Sequence, residues 1–134
     1  MNRTFILTFF LFLLLSHLTA QNSAVKKTEV RVLTLNILHG ATTQGNFDLD
    51  KIAQVIKNVD PDLVALQEVD FKTNRARQYD LATELGFRTQ MAPLFGKAMD
   101  LDGGGDGEGV LTKTPIVASR NIPLPHSPGK EPRT

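Results

Sequence analysis

Apolar and polar residues follow two different periods along this chain. Over Glu29–Leu38 the apolar positions fall on both sides of an extended segment. Val30, Val32, Thr34 and Asn36 share one face, and Arg31, Leu33, Leu35 and Ile37 share the other. A strand with apolar residues on both faces is predicted to be covered on both. From Leu49 the period changes. Leu49, Ile52, Ala53, Val55, Ile56 and Val59 recur at helical spacing, with Lys51, Gln54, Lys57 and Asn58 opposite. Asp48 is a suitable N-cap, and Asp60-Pro61-Asp62 ends the helix and turns the chain. A second strand, Leu63–Glu68, starts at once, and its four apolar residues run straight into Gln67 and Glu68.

Strand, helix and strand in about 40 residues make a βαβ unit, with parallel strands and a right-handed crossover. Ligands of such sheets gather beyond the carboxyl ends of the strands. Asn36 and Glu68 lie at those ends, both on even-numbered positions. Each continues the face of the apolar residues before it, Val30 and Val32 in one case, Val64 and Leu66 in the other. That parity is compatible with both pointing to one side of the sheet, although register is not legible in sequence.

The remainder is less periodic. Val69–Gln78 reads as a polar loop carrying Asp70, Thr73, Asn74, Arg75 and Arg77. A short helix is predicted over Asp80–Leu85, ended by Gly86, and a strand over Phe87–Pro93. The composition of Asp100–Gly109, DLDGGGDGEG, predicts a flexible loop. Short strands are expected at Val110–Thr112 and Ile116–Arg120, and Ile122–Thr134, with four prolines, as an extended tail.

At the start, Arg3, the apolar run Phe5–Leu15 broken only by Thr8, and the small residue Ala20 read as a secretory signal over residues 1–20. The run is shorter than the ~20 residues that span a bilayer. The expectation is therefore a secreted or periplasmic protein with no stable membrane insertion after cleavage. A polar, disordered lead-in over residues 21–28 and a domain over 29–134 follow. The hydrophobic fraction of 41% and charged fraction of 22% are those of a folded soluble protein. No cysteine is present, which excludes disulfides and thiolate metal sites. Of the 15 basic residues only Arg3 lies in the leader, so 14 remain against 14 acidic ones. That balance gives no electrostatic footprint for nucleic acid.

A glutamate at a strand end suits a hard divalent cation. Magnesium takes oxygen ligands and often uses one or two carboxylates plus a substrate phosphate. A neighbouring asparagine orients a phosphate or a metal-bound water without adding charge, an arrangement suited to phosphoester hydrolysis. On spacing alone the alternative stays open that Glu68 caps its strand or pairs with Arg75.

LTLNILHG, a helix, and then DPDLVALQEVD resemble the endonuclease/exonuclease/phosphatase superfamily. The likeness continues through TNRARQYD, GVLTKTPI and the PLP…EPR tail, from Glu29 to Arg133. The resemblance implies an α/β fold, the N-terminal half of a four-layer, DNase I-like sandwich beginning with the βαβ unit. It implies a divalent-metal-dependent phosphoester hydrolase with Mg2+, or Mn2+ or Ca2+, as cofactor and a phosphoester as substrate. Glu68 matches the family's metal-binding glutamate, and Asn36 the catalytic asparagine near metal and phosphate. Asp70 and Arg75 match supporting positions in the loop after that glutamate, and Arg133 matches the arginine of an E-x-R segment. Where the family usually reads G-N-A-L-L-S-R, this chain has GVLTK at Gly109–Lys113. The family's D-x-N motif, later Asp and closing S-D-H have no counterpart before Thr134. A truncated domain, marginal in stability and inactive alone, is therefore expected. A non-enzymatic extracytoplasmic binding module and a pseudoenzyme fragment are the alternatives.

His39 follows the asparagine strand; a solvated loop histidine is favoured over a site residue there. Asp100, Asp102, Asp106 and Glu108 begin like a calcium loop. Leu111 stands where a bidentate glutamate is needed, so a mobile glycine loop is the expectation.

Overall fold

The computed structural model describes residues 29–134. The predicted signal sequence and lead-in lie outside the described residues. Elements run in the order β1 (Val32–Asn36), a 3-10 turn (Leu38–Gly40), α1 (Leu49–Val59), β2 (Leu63–Phe71), α2 (Leu81–Thr89), β3 (Ala92–Leu101) and β4 (Gly104–Thr112). One mixed sheet forms in the order β1-β2-β4-β3. β1 pairs with β2 in parallel, Val32 beside Leu63 and Asn36 beside Gln67, as the βαβ reading requires. The β2–β4 and β3–β4 pairs are antiparallel.

The helical stripe of α1 does what its period predicts. Leu49, Ile52, Ala53 and Ile56 are buried in one core with Val64, Leu66, Val69 and Leu111 of the sheet, and Leu33 and Leu35 pack against it. Asp48 caps the helix, accepting a hydrogen bond from the Lys51 amide at 2.9 Å. Asp60, left-handed at φ 52°, closes it. The start of β1 is tied to this end by Arg31, which donates to the carbonyls of Val59 and Asp60.

Three expectations are corrected. The second helix runs through Gly86 to Thr89, taking residues assigned to a strand, and Gln90 supplies the left-handed cap instead. Gly86 serves packing: a Cβ there would lie 2.8 Å from the Met91 carbonyl and 3.0 Å from Pro93. The acidic glycine stretch is not a loop. It is the end of β3, a turn at Asp102-Gly103 and most of β4. Its glycines permit close approach; a Cβ on Gly104 would sit 2.2 Å from the Phe71 carbonyl. Flexibility read from composition gives way to tertiary contact. Ile116–Arg120 forms no strand, and the tail has no regular structure, as its prolines predict.

Both helices cover one face of the sheet. The opposite face is open at β1, with Val30 63% and Val32 60% exposed, although two-sided cover was expected. The prediction of two-sided cover came from apolar content, and the described residues supply elements for one side only. Among the described residues the tail crosses part of that face, Asn121 donating to the Lys97 carbonyl at 2.8 Å. Among them, too, no helix is long and apolar enough to cross a membrane.

Candidate functional site

Asn36 and Glu68 meet: Asn36 Nδ2 donates to Glu68 Oε1 at 2.7 Å. The route differs from the parity expectation. In the parallel register Asn36 shares its face with Gln67, and Gln67 Nε2 donates to Thr34 Oγ1 at 3.1 Å on that open face. The even-numbered Val64 and Leu66 point the other way, into the core. Regular pairing would have sent Glu68 after them. A bulge in β2 between Leu66 and Val69, with Glu68 at φ 56°, turns the carboxylate to the asparagine side. Left-handed backbone at a non-glycine residue costs of order 1–3 kcal/mol and is kept only where the surroundings hold it. Asn36 is itself fixed, its Oδ1 accepting from the Leu38 amide at 2.9 Å.

The turn after Asn36 delivers a residue that the sequence left in solvent. Leu38, His39 and Gly40 all have positive φ, and Gly40 is packed under Phe47. His39 is thereby held half-buried between two carboxylates, Nε2 3.5 Å from Glu68 Oε2 and Nδ1 3.6 Å from Asp70 Oδ1. Both distances are beyond hydrogen-bonding length, and His39 Nδ1 is shut off from water without a partner.

Asp70 is fully buried and belongs to an ion-pair network. Arg75 donates Nε to Asp70 Oδ2 at 2.7 Å and Nη2 to Asp70 Oδ1 at 2.8 Å, the two-pronged match of guanidinium to carboxylate. Nη2 also reaches Asp106 Oδ2 at 3.1 Å. Thr73 donates its hydroxyl to Asp70 Oδ2. Burial alone would raise the Asp70 pKa, but the bonds from Arg75 and Thr73 outweigh it and hold the carboxyl below its ordinary value. Asp106 is pushed up, first by burial and then by sharing its surroundings with Asp70. Arg75 therefore does not pair with Glu68, which settles that alternative.

The acids of the glycine stretch divide among separate tasks. Asp100 pairs with Lys97 Nζ at 2.5 Å. Asp102 accepts from the Arg75 amide at 2.7 Å and so pins the loop that carries Arg75. Asp106 joins the ion-pair network. Glu108 faces the site. They make no shared calcium loop. Sequence reasoning weighed Asp106 and Glu108 only as calcium-loop ligands, because their strand was read as a loop; alternation along a strand would have placed them on one face.

These side chains line a cavity of about 460 Å3, which Arg133 and Glu131 enter from the tail. Arg133 donates Nη2 to Glu131 Oε2 at 2.8 Å. The Glu108 carboxyl is raised by burial and by the negative charges of Asp106 and Glu68, with Arg133 opposing. One ligand atom each from His39, Asp70 and Asp106 lies within 4.8 Å of the others, a group with the capacity for a divalent ion. Within it Arg75 already satisfies both oxygens of Asp70 and one of Asp106. Beside it Glu68 lines the same cavity, and Glu108 Oε2 is shut off from water with no partner. Hard oxygen donors around an orphaned carboxylate oxygen fit a hard divalent cation.

No curated protein matches the chain significantly. A solved endonuclease/exonuclease/phosphatase from Beutenbergia cavernae is similar in structure, with a TM-score of 0.62 and 26% identity over 78% of this chain. An endonuclease/exonuclease/phosphatase family protein from Leptotrichia buccalis shares the fold, with a TM-score of 0.54 and 21% identity over 67% of this chain. The matched region spans 32% and 39% of those two chains. The sequence model described as the Endonuclease/Exonuclease/phosphatase family matches residues 33–134, nearly everything from β1 onward, and the protein belongs to that family.

Proposed function

We propose that this chain contributes part of the active site of an exported, divalent-metal-dependent phosphoester hydrolase. Glu68 would hold the cation, with Mg2+, Mn2+ and Ca2+ the ions suited to its oxygen donors. The observation that carries this is the Asn36–Glu68 contact at the end of two parallel strands, made by a bulge that costs backbone energy. When bound, the cation would offset charge on phosphoryl oxygens. Asn36 fixes the rotamer of Glu68 and leaves its amide beside the place where a phosphate would lie. Asp70 and Arg75 act one step further back. Their buried pair fixes the floor against which His39 and Glu68 rest, and the guanidinium neutralises two acids that would otherwise compete for the ion. Arg133, in the same cavity, is placed to meet an anionic substrate.

The solved relatives are longer than this chain, and a second sheet on the open face of β1 would complete a four-layer sandwich. Export rests on the signal-like residues 1–20. The rival reading, a binding module built on the acidic glycine stretch, is weakened because Lys97 engages Asp100, Arg75 engages Asp102 and Asp106, and Glu108 faces the same cavity as Glu68. The test is Mn2+ binding by the full 134-residue chain, followed by the resonance signal of free Mn2+. Wild type is expected to bind and Glu68→Gln to lose binding. Equal binding by both would refute the assignment, and turnover of a phosphodiester by this chain alone would refute the view that it is only part of an active site.

A further inference from the structure

The bulge that turns Glu68 also decides what faces it. Between the pairs Leu66–Gly109 and Val69–Gly107, two residues of β2, Gln67 and Glu68, stand opposite one residue of β4, Glu108. A carboxylate is thus set across from a carboxylate. Like charges directly opposite on neighbouring strands are destabilising, and more so where water is partly excluded. Arg133 acts on Glu108 only from a distance, without pairing to it. Among the described residues only the His39 imidazole comes within ion-pair distance of Glu68, at 3.5 Å, and Glu108 pairs with no basic side chain. Arg75 is committed to Asp70 and Asp106, and Arg133 to Glu131. Glu108 Oε2 is closed to water and accepts no hydrogen bond. A buried orphan acceptor of this kind is rare without an ion or water to satisfy it.

The geometry points to Glu108 as a second carboxylate ligand of the cation held by Glu68, so that the ion is clamped across two antiparallel strands. This rests on the reading of Glu68 given above. The clamp gives the bulge a purpose: in regular register Glu68 would face the core and Glu108 would stand across from Gln67 alone. It also assigns the metal to the Glu68–Glu108 side of the cavity and leaves the His39–Asp70–Asp106 group to Arg75.

The experiment compares Mn2+ binding by the full chain with Glu108→Gln and Glu68→Gln, each also melted in chelator. Glu108→Gln keeps the shape and removes the charge. It is expected to weaken Mn2+ by on the order of tenfold or more, as much as is lost with groups that merely support a ligand. In chelator it should melt no lower than wild type, because a repulsion has gone. Added Mn2+ should raise the melting temperature of wild type and shift Glu108→Gln much less. Unchanged Mn2+ affinity in Glu108→Gln with binding lost in Glu68→Gln would overturn the clamp and leave Glu68 as the ligand. Unchanged affinity in Glu68→Gln would overturn both. A melt of Glu108→Gln well below wild type in chelator would show that Glu108 holds the fold instead, and would also overturn the clamp.

Discussion

Arg75 bridges two buried carboxylates, Asp70 and Asp106, and removing it isolates that load. In Arg75→Met the hydrocarbon stem is kept and the guanidinium is lost. Three charge-assisted bonds go with it: two to Asp70, which is 0% exposed, and one to Asp106, which is 8% exposed. Bonds to charged groups contribute about 1.5–3 kcal/mol each. That range is an upper bound, because the Arg75 side chain is 37% exposed and water offsets part of the loss. Breaking a buried pair by removing one partner typically costs about 3–5 kcal/mol, and the lower end is expected here. Most of this cost is the penalty on two carboxylates left buried without a counter-charge. The companion variant Asp70→Asn should therefore rescue Arg75→Met, since it removes the main stranded charge. Urea denaturation of wild type, both single variants and the double variant gives the coupling energy directly. Strict additivity, or a cost below about 1 kcal/mol for Arg75→Met, would refute the view that this pair holds the floor of the site. If Arg75→Met is unfolded without urea, the double variant should recover a folded baseline.

Two further outcomes follow from the same geometry. The Asp70 pKa is lower in the folded chain than in the unfolded one, because Arg75 and Thr73 overcome the effect of burial. Its stabilising contribution is therefore present above the ordinary carboxylate pKa, about 4, and is lost as pH falls through the folded value. Melting temperature against pH should show a shallower acid limb in Asp70→Asn. Asp106 is shifted upward, so it works in the opposite sense, adding stability as pH falls toward about 4. Gly86→Ala should destabilise by about 1–3 kcal/mol in a thermal melt, because the new methyl meets the Met91 carbonyl at 2.8 Å and overrides the usual helical gain from alanine.

Much of this protein was legible in its residues. The period change at Leu49, the cap at Asp48 and the breaker at Asp60-Pro61-Asp62 are local signals, and each lies where the chain carries it out. Two strands joined by one helix have a small choice of arrangements, so the parallel pair and the meeting of its ends followed from pattern and connection rules. The lack of cysteine restricted any metal to oxygen and imidazole ligands, and the charge balance gave no footprint for nucleic acid.

What depended on distance in sequence was misread. Glycine-rich Asp100–Gly109 has no local preference for a strand; it becomes one because β2 and β3 flank it and no side chain intrudes between the backbones. His39 is placed by a left-handed turn whose geometry depends on Phe47 packing above Gly40. Above all, the side of the sheet on which Glu68 emerges depends on one extra residue in β2, set against β4 more than thirty positions away. Residue types and their order determined that an asparagine and a glutamate would reach the same sheet edge. Only the tertiary pairing decided which way the glutamate points and that Glu108 stands across from it, because register and bulges are properties of two strands together and are written in neither alone.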